Sequence, residues 1–191
     1  MGTEYVRLAA GDGPALADFL AADDWPFHAG GRPDRAAVLA RFAAGYYDGP
    51  TARTFWVTAD GRRVGLLRLG DLDDLPGGSP VFDLRIAAAE RGRGHGRRAV
   101  EWLTDHVFTE FPDALRLEAT TRADNAAMRA TFRAARFVRE AYYRDGWPGG
   151  DGTVHDAVGY AILRRDWASG TTTPVPREQP ESGENRAPGD D

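Results

Sequence analysis

Residues 80–108 constrain this chain more than any other stretch. An apolar run, Val81-Phe82-Asp83-Leu84-Arg85-Ile86-Ala87, reads as a strand. A glycine-rich turn follows, Arg91-Gly92-Arg93-Gly94-His95-Gly96, and then a helical run from Arg97 to about Phe108. Strand, glycine turn and helix together aim several backbone N–H groups at one anion. Glycine at every second position removes the Cβ atoms that would hold a phosphate off the backbone. Arg91, Arg93, Arg97 and Arg98 add positive charge around the same turn. The stretch reads as a pyrophosphate cradle.

Two familiar phosphate loops do not fit. A P-loop needs Lys-Ser/Thr after its last glycine, and this chain has Arg97-Arg98. The dinucleotide fingerprint spaces its glycines G-x-G-x-x-G, whereas here they run G-x-G-x-G. Residues 91–96 instead resemble the coenzyme A loop of the GNAT superfamily of N-acetyltransferases, Gln/Arg-x-x-Gly-x-Gly/Ala after the fourth strand. Every fixed position is met. Read without that resemblance, the turn is either an anion cradle or a flexible surface turn with incidental arginines.

Length and composition narrow the setting. At 191 residues the chain predicts one domain, residues 1–168, and a tail, 169–191. The tail is rich in Pro, Gly, Glu and Asp, with Val175 as its one large aliphatic residue, which predicts disorder. Its two arginines stand against five carboxylates, so it takes −3 of the total charge of −5. The rest is nearly neutral and carries no global basic field for nucleic acid. Without cysteine there is no disulfide, zinc–thiolate site or Cys nucleophile; without lysine there is no Schiff base. No apolar run approaches the ~20 residues of a membrane span, and no signal-peptide core opens the chain, so the expectation is a cytoplasmic protein with no membrane partner.

The element order reads β-α-α-β-β-β-α-β-α-β-β, an α/β pattern. Tyr5–Leu8 is a first strand. Asp12 is placed to cap a helix with Pro14 inside it, running to about Ala22; Pro33 starts a second helix, to about Tyr46. Phe55–Thr58 and Val64–Leu69 form a hairpin across Asp60-Gly61. After the cradle come a strand at Leu115–Thr120, a helix capped by Asp124 and running from Asn125 to about Ala135, a strand from Phe137 to about Tyr143, and a last strand, Thr153–Leu163. This order is similar to the GNAT fold over about residues 3–167. The resemblance implies a mixed, mostly antiparallel central sheet of six to seven strands flanked by four helices.

It also implies residue roles. Coenzyme contacts fall to Ile86, to Arg91, Gly92, Arg93, Gly94, His95 and Gly96, and to Asn125 at the start of the helix after strand five. Many members close that helix with Gly-Phe; here Phe137 matches and Arg136 departs. Many carry a Tyr five residues before that Phe to protonate the leaving thiolate; here Phe132 stands there. A thiol pKa of about 8.5 makes the thiolate a fair leaving group without it. The cosubstrate implied is acetyl-CoA, with no metal, and the acceptor a small-molecule amine or a peptide N-terminus. The family's amine attacks the thioester directly in a ternary complex, its strand-four N–H groups polarise the carbonyl, and homodimers are common in it.

The amine must be neutral to attack, so a base is needed. Asp83 is the candidate base; its alternative is an outward strand residue paired with Arg85. Trp25, Phe27 and His28 lie in the loop that walls the acceptor pocket in this fold, where His28 can relay a proton; alternatively the aromatics anchor a loop whose His faces solvent. His95 is expected to face phosphate or solvent, and His106 the surface. His28, His95, His106 and His155 have no metal-ligand spacing. The acidic loops at Asp23-Asp24 and Asp71, Asp73 and Asp74 either attract a cationic acceptor or are solvated turns. Two other function classes stay open: a non-catalytic acyl-CoA-binding or regulatory module, and a phosphoanion-binding domain with no coenzyme preference.

Overall fold

The computed structural model describes residues 2–75, 78–150 and 152–176. Among these, seven strands form one sheet: β1 (Thr3–Arg7), β2 (Arg53–Ala59), β3 (Arg62–Gly70), β4 (Val81–Ile86), β5 (Arg116–Arg122), β6 (Val138–Pro148) and β7 (Val154–Leu163). Their order is β1-β2-β3-β4-β5-β7-β6. All neighbours are antiparallel except β4 and β5. The β2–β3 hairpin turns on Asp60 and Gly61, both at positive φ, the geometry that matches strand twist.

Helices α1 (Gly13–Ala21) and α2 (Arg35–Ala43) cover one face; α3 (His95–Glu110) and α4 (Ala126–Ala134) cover the other. Alternation along the strands divides the core accordingly. Trp56 and Leu66 pack with Leu16, Leu20, Trp25 and Val38. Val57, Leu67 and Leu69 pack with Val100, Leu103 and Val107 of α3.

Several expected boundaries shift. There are five α-helices among the described residues, not four: β7 runs straight into α5 (Arg164–Ser169). Arg164 holds that junction by donating to the carbonyls of Phe108, Phe111 and Ala114, the free end of α3. Asp166 is buried and accepts hydrogen bonds from Thr173, so ordered contacts extend into the segment read as tail. The tail from residue 177 lies outside the described residues. β6 outruns its predicted end at Tyr143 because register shifts between Arg139 and Ala141 and between Tyr143 and Trp147 carry the pairing on to Pro148. α2 is capped by Asp34, whose side chain accepts from Ala37 N, and it ends before Gly45, which takes a positive φ.

Asp12 does not cap α1 with its side chain. Its carboxylate accepts from Ala9 N at 2.9 Å, Trp56 Nε1 at 3.1 Å and Arg63 Nη2 at 2.6 Å, tying the β1–α1 loop to the sheet. Burial opposes its ionisation, but these donors outweigh burial and hold the carboxyl below its usual pKa. A depressed carboxylate stabilises above the unfolded pKa of about 3.9 and loses that contribution as pH falls through the lower folded value. Asp12→Ala is therefore expected to cost about 1–3 kcal/mol in denaturant unfolding at pH 7, with the gap to wild type narrowing as pH falls below the unfolded value of about 3.9. A gap that does not narrow would mean the charge is not what stabilises.

Candidate active site

The site grows from one interruption in the sheet. β4 pairs with β5 only at Val81 and Glu118, and beyond that pair the strands diverge. Even-numbered residues of β4 turn their backbone groups into the opening. Pro80 O accepts from Glu118 N, Leu84 O from His28 Nε2, and Ile86 O from Arg91 Nε. The N–H groups of Leu84 and Ile86 point the same way, with no strand opposite them among the described residues.

The glycine turn closes one end of the opening. Gly92 and Gly94 both have positive φ, a conformation that L side chains adopt at a cost. Gly94 is the N-cap of α3 and brings no side-chain cap, so the first N–H groups of the helix stay available. Gly96 lies inside the cleft: a Cβ there would come within 3.8 Å of Leu84 Cδ2 and 3.9 Å of Thr131 Oγ1. The cavity has a volume of about 340 Å³ between the turn, β4 and α4.

The four arginines serve the turn more than its field. Arg91 donates to Ile86 O and Asp24 O and lies over the Trp25 ring. Arg93 pairs with Glu90, and Arg97 with Glu101. Arg98 donates to Thr3 Oγ1, Arg93 O and His95 Nδ1. His95 is buried rather than facing solvent: Arg98 and Glu90 hold its ring, and it lines the turn cavity.

A second cavity, about 290 Å³, adjoins the first and shares Phe27, His28, Leu84, Asn125 and Met128 with it. Asp83 lines it. Its carboxylate lies 2.9 Å from His28 Nε2 and 3.1 Å from Arg85 Nε. His28 Nε2 is also 3.2 Å from Leu84 O. Both neighbours are acceptors, so Nε2 carries a hydrogen; Nδ1 is buried with no hydrogen-bond partner among the described residues. Burial opposes the charge on Asp83, but hydrogen bonds and charge from His28 and Arg85 outweigh it and hold the carboxyl well below the usual carboxylate range. The Asp83 side chain is 39% exposed, so an amine entering the cavity can reach it.

The other predicted residues divide. Phe27 lines both cavities, under Arg122. Trp25 edges the turn cavity but is only 1% exposed and donates to Leu20 O, so it chiefly anchors the loop. Asn125, not Asp124, caps α4: its Oδ1 accepts from Met128 N and its Nδ2 donates to Thr121 Oγ1. Asp124 instead pairs with Arg122. Phe132 is buried and stacked on Tyr160, which leaves no hydroxyl where the family's Tyr would stand. His106 is half-buried rather than free on the surface; it stacks on Trp102 at 4.9 Å, and burial lowers its pKa. Among the described residues no group of His, Asp and Glu is arranged to hold a metal, and no helix is long and apolar enough to cross a membrane.

Sequence reasoning missed Tyr46 and Trp147, which wall the second cavity. Trp147 stands near the end of β6, opposite His155, just before the β6–β7 turn, whose Gly150 would bring a Cβ within 3.4 Å of the Gly30 backbone. An aromatic residue set in the glycine-rich run 146–150 was the available signal.

A diverging parallel pair, a glycine turn opening α3, and a carboxylate held by a histidine that both cavities share coincide with the family comparison. The acetyltransferase (GNAT) domain model matches residues 5–138. The chain belongs to the GNAT acetyltransferase family. By class it is an N-acetyltransferase. No curated protein sequence matches it. Solved structures share the fold. A RimL ribosomal L7/L12 alpha-N-protein acetyltransferase in complex with coenzyme A aligns with TM-score 0.73 at 16% identity, over 84% of this chain and 93% of that one. A spermidine N-acetyltransferase SpeG chimera from Vibrio cholerae and hSSAT aligns with TM-score 0.74 at 17% identity, over 88% and 99%. An aminoglycoside acetyltransferase in complex with coenzyme A aligns with TM-score 0.69 at 17% identity, over 88% and 98%.

Proposed function

We propose that the chain is an acetyl-CoA-dependent N-acetyltransferase whose acceptor is a primary amine, borne by a small molecule or a peptide N-terminus, with Asp83 and His28 acting as one proton-handling pair. The observation that carries this reading is the 2.9 Å contact between His28 Nε2 and Asp83 Oδ1 at the point where the two cavities meet.

The turn cavity fits the coenzyme in kind. It offers uncapped helix N–H groups for phosphate, a Cβ-free wall at Gly96, and an apolar channel along Leu84, Ile86 and Met128. Acetyl-CoA, when bound, supplies the thioester. The N–H groups of Leu84 and Ile86 stand where charge on an acyl oxygen would be stabilised. Asp83 attracts the amine as its ammonium, and the Asp83–His28 pair takes the proton that the amine sheds. The amine nitrogen then forms the new N–C bond as the C–S bond breaks. Phe132 supplies no acid, so the leaving thiolate departs as such or is protonated by water.

A thermal melt tests the coenzyme half. At about 100 times the dissociation constant, acetyl-CoA or free coenzyme A adds roughly 2.7 kcal/mol, a shift of several degrees for a domain of this size. ATP is expected to do much less. Equal shifts with ATP would favour a general phosphoanion domain. A coenzyme shift with no thiol release on any amine would favour the non-catalytic module, the reading that Phe132 supports.

A further inference from the structure

Beside Asp83 lies a third cavity, about 280 Å³, between α2 and the outer face of β3 and β4. Its walls carry Arg32, Arg41, Arg68 and Arg85 against Asp34 and Asp83. Asp34 is occupied as the cap of α2, and Arg32 pairs with Asp24. Arg85 already answers Asp83 through Nε, while its Nη1 is buried without a hydrogen-bond partner among the described residues.

Arg68 and Arg41 have no carboxylate partner among the described residues. Arg68 stands directly across the β3–β4 ladder from Asp83, the position where an ion pair would form. It turns away instead: its Nε donates to Tyr46 O at 3.1 Å, and its guanidinium lies 4.2 Å from the Tyr46 ring centroid. Arg41 reaches the same ring from α2, at 5.8 Å. Tyr46 thus gathers two guanidinium groups on the wall of this third cavity, next to the acceptor cavity, which Tyr46 and Asp83 also line. A guanidinium fork that is preorganised and uncompensated recognises carboxylate or phosphate.

Building on the acetyltransferase reading, we infer that the acceptor is zwitterionic: a primary amine that meets Asp83 and His28, carrying an anionic group, carboxylate or phosphate, that meets Arg68 and Arg41. A polyamine brings positive charge to this wall and is disfavoured there. The acidic loop at Asp23-Asp24, considered as an attractant, is engaged elsewhere: Asp23 accepts from Ala88 N, and Asp24 pairs with Arg32.

The test measures thiol release from saturating acetyl-CoA with four acceptors: glycylglycine, its C-terminal amide, 2-aminoethylphosphonate and spermidine. Glycylglycine or the phosphonate is expected to exceed the amide at least tenfold in kcat/KM, the better of the two naming the anion. Arg68→Gln should erase most of that ratio through KM, and Arg68→Glu should turn it towards spermidine. Each variant is first required to show the wild-type melting shift with coenzyme A, which separates loss of the anion site from loss of the fold. Turnover with the amide or spermidine preferred overturns the zwitterion inference alone. Coenzyme binding without thiol release from any of the four overturns this inference too, and thiol release from a wider panel of primary amines then tells its failure from a failure of the acetyltransferase reading.

Discussion

Asp83→Asn is expected to lower kcat by roughly 10²–10⁴-fold, the range for losing a positioned proton acceptor, while the melting shift with acetyl-CoA stays at its wild-type value. The substitution keeps size and shape and removes the charge. Asn can still accept from His28, so the loop holds its place, but the amine loses its counter-ion and the pair loses its basicity. The coenzyme cavity is lined from the other side, by Leu84, Ile86, Gly92 and Gly94, and does not touch Asp83. The wild-type carboxyl titrates well below the usual range, so it contributes no limb to the pH–rate profile between about pH 5 and 9. His28→Gln should cost a similar factor, and the double variant little more than either single one, because the two act as a unit. Multiplying losses would show independent roles, and an unchanged kcat in Asp83→Asn would remove Asp83 from the chemistry.

Much of this site was legible before the structure because its parts are local. Arg91–Gly96 is a contiguous turn, and the positive φ of Gly92 and Gly94 follows from where glycines must sit. Asp83 and His28 were each readable as polar residues in telling positions. Their contact was not, since it joins β4 to the α1–α2 loop across the sheet. Arg68 was harder still. Its significance rests on the β3–β4 register, which sets it opposite Asp83, and on Tyr46, which draws it away. Periodicity yields which residues share a face, not which partner a long side chain takes.

The fold shows the same division. The order of elements along the chain and the buried faces of α1 and α2 follow from hydrophobic spacing, whereas the order of strands in the sheet does not. α5 escaped because six residues are too few for a periodic signal, and its hold depends on Arg164 meeting the end of α3. Asp12 and Asp124 were both good cap residues by type. Asp12 is drawn off by Trp56 and Arg63, and Asp124 by Arg122, while Asn125, one position on, caps α4 instead. At these two positions an arginine donor takes the carboxylate from local capping, whereas Asp34 keeps its cap on α2; every long basic side chain in this chain is an arginine.

Gly96→Val is expected to separate binding from folding at the coenzyme cleft. Gly96 lies in the first turn of α3 and needs no positive φ, so the helix accepts a side chain there. Valine and glycine differ by only a few tenths of a kcal/mol in helix propensity, which leaves the unliganded melting temperature nearly unchanged. The new Cβ would sit at ordinary contact distance from Leu84 and Thr131, and the two further methyl groups would enter the space between β4 and α4. Overfilling a formed cavity costs about 1–3 kcal/mol, which is roughly a 10- to 100-fold loss of acetyl-CoA affinity. Gly94→Ala is the contrasting case. Its φ of +79° strains any L residue by about 1–2 kcal/mol, and its Cβ would meet Arg98 Nη1 at 3.0 Å. That variant should melt lower even without ligand. Calorimetric titration of acetyl-CoA, beside melts of the unliganded variants, reads both effects. If Gly96→Val binds acetyl-CoA as tightly as wild type, the cleft between β4 and α4 is not the coenzyme channel, and residues 91–96 are a turn that holds arginines in place and nothing more.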